Sequence, residues 1–140
     1  MKIQSINRYT VFDHLFDNQP EGWIGSDVCH SIDLKNNKIL FLFGDTIIGK
    51  TYKNKRSKDF KMINNAIGLM NSSRKAPKKM HFFWETEKEP KSFFMQPKKM
   101  IGDFIWPTNG IVLKDGLYIF CMAVNSTPDF SIDIDGTIVA

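Results

Sequence analysis

GWIGSD at residues 22–27 and KILFLFGDT at residues 38–46 flank the segment that decides the fold. Residues 28–34 mix small, polar and apolar side chains, and the stretch at 38–46 alternates around aromatic and β-branched residues, as is typical of half-buried strands. Asn36 and Asn37 predict a turn between the two strands, because asparagine tolerates the left-handed backbone that a two-residue hairpin loop requires. The sequence therefore predicts an antiparallel hairpin.

Two carboxylates flank this predicted hairpin. Asp27 comes just before it and Asp45 just after it, so both are expected at its open end. Backbone hydrogen bonds would fix a side chain there in space, which a catalytic carboxylate requires. An acid that only bonds nearby backbone amides has the same sequence pattern, so a structural role stays open for both residues.

Composition limits the classes of protein that the chain can belong to. Its 140 residues, 42% hydrophobic and 13% aromatic, predict one globular domain, and twelve phenylalanines and three tryptophans favour a sheet-rich core. The net charge is +4, with lysine and arginine concentrated at residues 50–61 and 74–79. Such runs usually mark solvated loops, and no nucleic-acid-binding motif accompanies them, so we predict no nucleic-acid partner.

The cysteines and the first residues bear on the cellular compartment. Cys29 and Cys121 lie in predicted strands, which favours buried, inert thiols and leaves a disulfide open if the two strands are neighbours. The first eight residues lack the apolar core of a signal peptide, and no stretch has transmembrane length. We expect no membrane partner. A cytoplasmic chain is the default, and one that has lost an exporting segment is the alternative.

The strand pattern begins again in the second half of the chain. Further strands are predicted at 62–70 and 80–86, after an exposed basic loop at 49–61. A second hairpin follows at 111–120, with an Asp-Gly turn, and two last strands at 130–133 and 137–140. The two hairpins correspond at an offset of about 80 residues, which places Asp27 and Asn109 in comparable positions.

These elements predict an all-β fold built of antiparallel four-stranded blades. Residues 1–21 form a lead-in segment and residues 22–140 a partial β-propeller, with blade 1 at about 22–86 and the start of blade 2 at about 104–140. This amounts to the first one and a half to two blades. A propeller needs at least about four blades to close, so a fragment is expected. Its open blade edges predict self-association.

Five motifs in order carry a resemblance to a known family. The chain resembles the five-bladed β-propellers of the glycoside-hydrolase type, in an uncharacterised bacterial branch, and matches only their N-terminal portion, from Gly22 onward. The matching motifs are GSD at 25–27 with Ser31, LFGDT at 42–46, NNAI at 64–67, Trp84 with Pro90, and WPTNGIV at 106–112.

The resemblance implies a central funnel that holds acids from the first three blades. Asp27 resembles the first-blade acid and is the predicted catalytic residue. Asn109 stands where the second-blade acid is expected, and an amide can bind a hydroxyl but cannot take a proton. The third-blade proton donor has no counterpart. Asp45 resembles a strand-end residue that orders the funnel or bonds a sugar.

Three further residues are predicted to bind substrate. Trp23 and Trp106 can stack on the apolar face of a sugar ring, although tryptophan is more often a core residue. His30 could point at the funnel or into the sheet. His14 and His81 lack a paired ligand spacing, so no metal and no cofactor are predicted.

Two functions remain for this sequence. The first is a carbohydrate-active protein that resembles a glycoside hydrolase acting on a poly- or oligosaccharide through funnel carboxylates, incomplete in this chain. The second is a non-catalytic remnant, or a carbohydrate-binding or interaction module, of the same fold. Carbohydrate is the expected partner in both cases. Whether the chain is an enzyme stays open, because a hydrolase would need the full propeller.

Overall fold

The computed structural model describes residues 10–16, 20–53, 55–72, 79–86, 88–96, 102–129 and 131–140. These parts of the chain form one short 3-10 helix and eleven strands in three antiparallel sheets. The bounds are η1 (Thr10–Leu15), β1 (Glu21–Ser26), β2 (His30–Asp33), β3 (Lys38–Phe43), β4 (Thr46–Tyr52), β5 (Lys55–Arg56), β6 (Lys61–Ile63), β7 (Ala66–Asn71), β8 (Met80–Phe83), β9 (Phe104–Val112), β10 (Leu117–Ser126) and β11 (Ile132–Val139). The prediction of an all-β, antiparallel fold is confirmed.

The first sheet contains the predicted hairpin and has the strand order β2-β3-β7-β8. β2 pairs antiparallel with β3, with His30 opposite Leu42 and Asp33 opposite Ile39. Asn37 has the expected left-handed backbone, with φ of 60°, and Lys35 shares it at 63°. The asparagine turn is therefore confirmed, and the hairpin places the residues on either side of it at the same end of the sheet.

The second sheet corrects two predictions. β4 pairs with β1, β5 and β6, so the segment predicted as an exposed basic loop at 49–61 contains strand residues. The strand predicted at 62–70 is divided between β6 in the second sheet and β7 in the first. The division occurs at Asn64 and Asn65, because Asn65 lies in the core and its side chain bonds the backbone of Phe94, outside the strands, and of Ile105 in β9.

The third sheet has the order β11-β10-β9 and longer strands than the sequence predicts. The sequence predicts two last strands with a turn at 134–136, but β11 is one strand that pairs with β10 on both sides of a bulge at Asp135, opposite Ala123 and Val124. The Asp135-Gly136 pair therefore lies within a strand and makes no turn. A bulge admits an extra residue without ending the strand.

Two hydrophobic cores lie on opposite faces of the first sheet. Phe43 and Met70 belong to the core that β1, β4 and η1 also contribute to, whereas Leu40 and Leu42 pack with Ile105 and other residues of the third sheet. The third sheet approaches closely at Gly110, where a Cβ would stand 2.5 Å from Ile32 Cδ1. The first sheet is thus the central layer.

The cysteines differ in burial. Cys121 is fully buried in the second core, as predicted, and burial raises the pKa of its thiol to about 11. The prediction for Cys29 is wrong, since this residue precedes β2 and is exposed. Both thiols are free, so the disulfide alternative is also excluded. None of the described helical residues form a helix long and apolar enough to cross a membrane.

Candidate functional site

Asp27 and Asp45, named here the acidic pair, lie opposite each other at the open end of the hairpin. β1 and β4 pair up to Ser26 and Thr46, and the contact continues one step further. The Asp27 N–H donates to the Asp45 carbonyl at 3.0 Å, and the Gly44 N–H donates to the Asp27 carbonyl at 3.2 Å. Backbone hydrogen bonds therefore fix both acidic residues, as the sequence pattern suggested.

Gly44 makes room for the Asp27 side chain. A Cβ built on Gly44 would stand 2.4 Å from Asp27 Oδ1, a distance that non-bonded atoms do not tolerate. Glycine is required here for close approach, not for its backbone angles. The carboxylate of Asp27 therefore lies directly over the backbone of the FGDT segment, and the adjoining Val28 has the unusual φ of 49° for a β-branched residue.

A series of side-chain hydrogen bonds that begins in β1 fixes residues 44–46. The Thr46 hydroxyl, fully buried, donates to the Gly44 carbonyl at 2.8 Å. It accepts from Ser26 Oγ at 2.8 Å, and Ser26 in turn accepts from Trp23 Nε1 at 2.8 Å. Because each hydroxyl has one proton, the direction of this chain is fixed. Residues 44–46 are thus anchored to β1 and to the core.

Trp106 links the acidic pair to the third sheet. Its Nε1–H donates to Asp45 Oδ1 at 2.9 Å, across 61 positions of sequence. Phe104 packs against the indole, with ring centroids 5.4 Å apart. Asp45 and Trp106 are both half-buried, so the bond is partly shielded from water. The indole ring consequently lies beside the Asp45 carboxyl group.

The environment of Asp27 favours its protonated form. Asp27 is an exposed residue, but partial burial of its carboxyl group is the larger reason that the pKa of this carboxyl is raised, and the negative charge of Asp45 is the second. The backbone hydrogen bond with Asp45 opposes both effects. A carboxyl group whose pKa is raised beside a second acidic residue is a common arrangement where a proton must be held and transferred.

This pKa shift predicts a pH dependence of stability. The folded chain binds more protons at Asp27 than the unfolded chain does, so the free energy of unfolding falls as the pH rises through the raised pKa. Asp27→Asn removes this loss. We expect the variant to be more stable than the wild type at about pH 7, by less than about 1 kcal/mol because solvent screens the charges, with a smaller difference at about pH 3.

Urea unfolding at the two pH values measures this effect. Asp33→Asn is the matched control, because hydrogen bonds from Lys35 lower the pKa of Asp33 and give the opposite sign. A wild type that gains stability over Asp27→Asn as the pH rises would contradict the assigned environment of Asp27.

The other predicted site residues lie in different surroundings. Trp23 is 6% exposed and stacks on Phe82 in the first core, with ring centroids 4.3 Å apart. His30 is exposed at the start of β2, on the strand face that also carries Ile32. Asn109 is exposed in β9, and its Oδ1 accepts from the Gly110 N–H at 2.8 Å. The structure therefore brings together Asp27, Asp45 and Trp106.

Asn65 has a structural role that the sequence did not predict, since this residue was noted only as part of the NNAI motif at 64–67. Its fully buried side chain donates to the carbonyls of Phe94 at 3.1 Å and Ile105 at 2.9 Å, and accepts from the Phe94 N–H at 2.7 Å. It thereby joins β7 to β9 and to the segment before it. A polar residue between two apolar strand patterns was the available signal.

Within the described ranges, no three histidine, cysteine or acidic side chains come together in a way that could hold a metal ion. The acidic pair contributes two carboxylates, and the donor next to them is an indole N–H, which cannot ligate a cation.

Comparison with known proteins supports the fold. The profile of a family described as "Domain of unknown function (DUF5005)" matches residues 10–140, and no curated protein matches. The crystal structure of a "putative hydrolase" from Bacteroides ovatus ATCC 8483 superposes with a TM-score of 0.74 at 16% identity. The match covers 93% of this chain but 37% of that one, so the chain spans little more than a third of that protein's length. The similarity shows a shared fold.

Proposed function

Since the chain belongs to the DUF5005 family and shares its all-β fold with a protein described as a hydrolase, we propose that it is part of a carbohydrate-active hydrolase. The acidic pair is the observation that carries this proposal. Hydrolysis of a glycosidic bond needs one carboxyl group that transfers a proton and a second that stays ionised near the reacting carbon.

The two members of the pair have different surroundings, and this suggests their roles. Asp27 has a raised pKa and takes the proton-transfer role. Asp45 accepts the Trp106 N–H and acts as the fixed carboxylate that stabilises positive charge on the sugar. The half-buried indole of Trp106 is placed to pack against the apolar face of a sugar ring. Asn109 and His30 would bond sugar hydroxyls.

The finer architecture in this proposal is a five-bladed propeller, with residues 1–21 as lead-in, blade 1 at about 22–86 and blade 2 beginning at about 104. The outer face of the third sheet supports further blades. Phe120 and Val139 are paired there across β10 and β11 and are 37% and 54% exposed, an arrangement suited to another sheet packing on them. The same face would promote self-association of the isolated chain.

A second candidate is a carbohydrate-binding module without catalysis. Asn109 favours it, because an amide stands where the resemblance places the second-blade acid, and its oxygen is already bonded to its neighbour's backbone. This alternative keeps the sugar partner and removes the reaction.

A hydrolysis screen separates the two candidates. The chain and the full-length protein that contains it would each be incubated with neutral and acidic poly- and oligosaccharides, from acidic to neutral pH. New reducing ends would be measured by chromatography. Release of reducing ends supports the hydrolase. Binding of a saccharide without hydrolysis supports the module. If the full-length protein neither binds nor hydrolyses any of these saccharides, both candidates are excluded.

Gly44→Ala tests whether the position of Asp27 matters. The new methyl group must displace the Asp27 carboxylate, which is 2.4 Å from the Cβ site. A displacement of about 1 Å can lower kcat/KM about 10²-fold, and we expect a loss of that size in the hydrolysis assay. Gly25→Ala is the matched control, because a Cβ there meets nothing within 4 Å. Equal activity of the two variants would remove Asp27 from the proposed site.

A further inference from the structure

A second concave site lies between the second sheet and the segment that follows β8. Its volume is about 630 Å³, within the range of small-ligand sites, and neither member of the acidic pair lines it. Ile48, Phe60, Trp84 and Pro90 supply its apolar lining. We name it the lysine cleft because Lys50, Lys61 and Lys88 also line it.

Two glycines of the second sheet face the aromatic residues of the cleft, and the absence of a side chain at Gly49 makes room for the close approach of Phe60. Gly22 has a φ of 107°, and a Cβ there would stand 3.5 Å from Trp84 Cη2. A Cβ on Gly49 would stand 3.0 Å from Phe60 Cβ, so Phe60 would have to shift by a few tenths of an ångström to admit it. Phe60 is 44% exposed and Trp84 is half-buried, so both rings retain surface toward solvent. Aromatic surface of this kind suits the apolar face of a ring-shaped ligand.

A closed loop holds the third apolar wall in place. Glu85 and Lys91 exchange backbone hydrogen bonds of 3.0 and 2.9 Å, and Thr86 Oγ1 donates to the Glu89 carbonyl within the loop. Pro90 is thereby held on the same cleft as Trp84. Trp84 and Pro90, which the sequence analysis grouped in one motif and which do not contact the acidic pair, therefore both line the lysine cleft.

The side chains that line the lysine cleft carry a net positive charge. Three lysines line it against two acids, Glu21 and Asp59, and Lys50 is paired with Glu21 at 3.3 Å. A fourth cation, Arg56, lies 5.0 Å from the centre of the Phe60 ring. An anionic ligand is favoured there, at a strength that falls with added salt.

We propose that the lysine cleft binds an anionic saccharide, meaning pyranose rings that carry carboxylate or sulfate groups. The rings stack on Trp84 and Phe60 while Lys61 and Lys88 bind the anionic groups. Single-stranded nucleic acid also combines stacking with positive charge, but the compact volume of the cleft favours a short saccharide over a long strand. The proposal is independent of hydrolysis at the acidic pair.

Binding is measured by calorimetry and tryptophan fluorescence, with trigalacturonate, its neutral methyl ester, a heparin-derived tetrasaccharide and a dT8 oligonucleotide as probes. The variant Lys61→Gln with Lys88→Gln removes two cleft charges, and Lys38→Gln with Lys114→Gln is the matched control on the other two sheets. Trp84→Phe keeps an aromatic ring but removes the fluorophore of the cleft, and Trp23→Phe, at a core residue that does not line the cleft, is its control.

We expect one or both anionic saccharides to bind and to quench fluorescence, and the methyl ester to bind more weakly. The cleft double variant should weaken binding about tenfold, and the control double variant should not. The quench should vanish in Trp84→Phe and remain in Trp23→Phe. Binding should persist in Asp27→Asn, which separates this site from the hydrolytic one. The proposal is overturned if no anionic saccharide binds, if the ester or dT8 binds more tightly, or if the cleft double variant binds normally.

Discussion

Asn65→Ala is expected to lower the free energy of unfolding by about 3–5 kcal/mol, because it leaves partly buried backbone groups of Phe94 and the buried carbonyl of Ile105 without partners, at a cost of about 1–3 kcal/mol each. This is a large share of the roughly 5–15 kcal/mol that stabilises a domain. Asn65→Asp should be at least as damaging, since it keeps the acceptor, removes both donated bonds and adds a buried charge.

Urea unfolding of the purified variants measures this effect, with Asn64→Ala as the control. Asn64 is the neighbouring residue of the same type, is half-buried, and contributes its backbone N–H, not its side chain, to a bond with Ser92 Oγ. We expect the control to change stability by less than about 1 kcal/mol. Similar losses in Asn64→Ala and Asn65→Ala would show that the buried amide does not hold the two sheets together.

Asp27→Asn is expected to lower kcat of the proposed hydrolysis by about 10²–10⁴-fold, the usual contribution of a proton-transferring side chain. The amide retains the shape of the carboxyl group but cannot exchange a proton with a leaving group or a water. KM should change little, because binding of the sugar rings does not depend on that proton. Asp45→Asn should lower kcat as well and should move the limb of the pH profile that Asp27 controls to lower pH, because it removes a charge that raises the pKa of Asp27.

Steady-state hydrolysis of a saccharide found by the screen measures these changes, with Asp33→Asn as a surface control on the same hairpin. Asp33 is exposed and bonds Lys35 in the turn. Full activity of Asp27→Asn would exclude the proton-transfer role and would leave the binding module as the better description.

The hairpin shows what the sequence could predict. Local features determine it, namely the asparagines that accept a left-handed backbone and the alternation of apolar residues in β3. The proximity of Asp27 and Asp45 follows from the same hairpin, since residues that flank an antiparallel pair meet at its open end. The breaks and bulges could not be predicted in this way. Asn65 ends one strand through bonds to carbonyls 29 and 40 positions away.

The candidate site shows the same limit. Trp106 was predicted near the site from a resemblance, but its bond to Asp45 spans 61 residues and depends on how two sheets pack. Gly44 belongs to the LFGDT motif, but only the structure shows that the Asp27 carboxylate occupies the space that a side chain at residue 44 would need. Trp23 is of a residue type that can stack on a sugar ring, but it lies in the core. Contacts between sheets decide each of these outcomes, and no local pattern encodes them.

The electrostatic coupling of Asp27 to Asp45 can be measured on the 140-residue chain itself, by carbon-detected NMR titration of the Asp27 carboxyl group in the wild type and in Asp45→Asn. We predict a pKa above that of an ordinary aspartate in the wild type. The pKa should fall in Asp45→Asn yet stay raised, because burial is the larger cause and the charge of Asp45 the smaller one. A wild-type pKa at or below the ordinary value, unchanged by Asp45→Asn, would show that the two carboxyl groups are not a coupled pair.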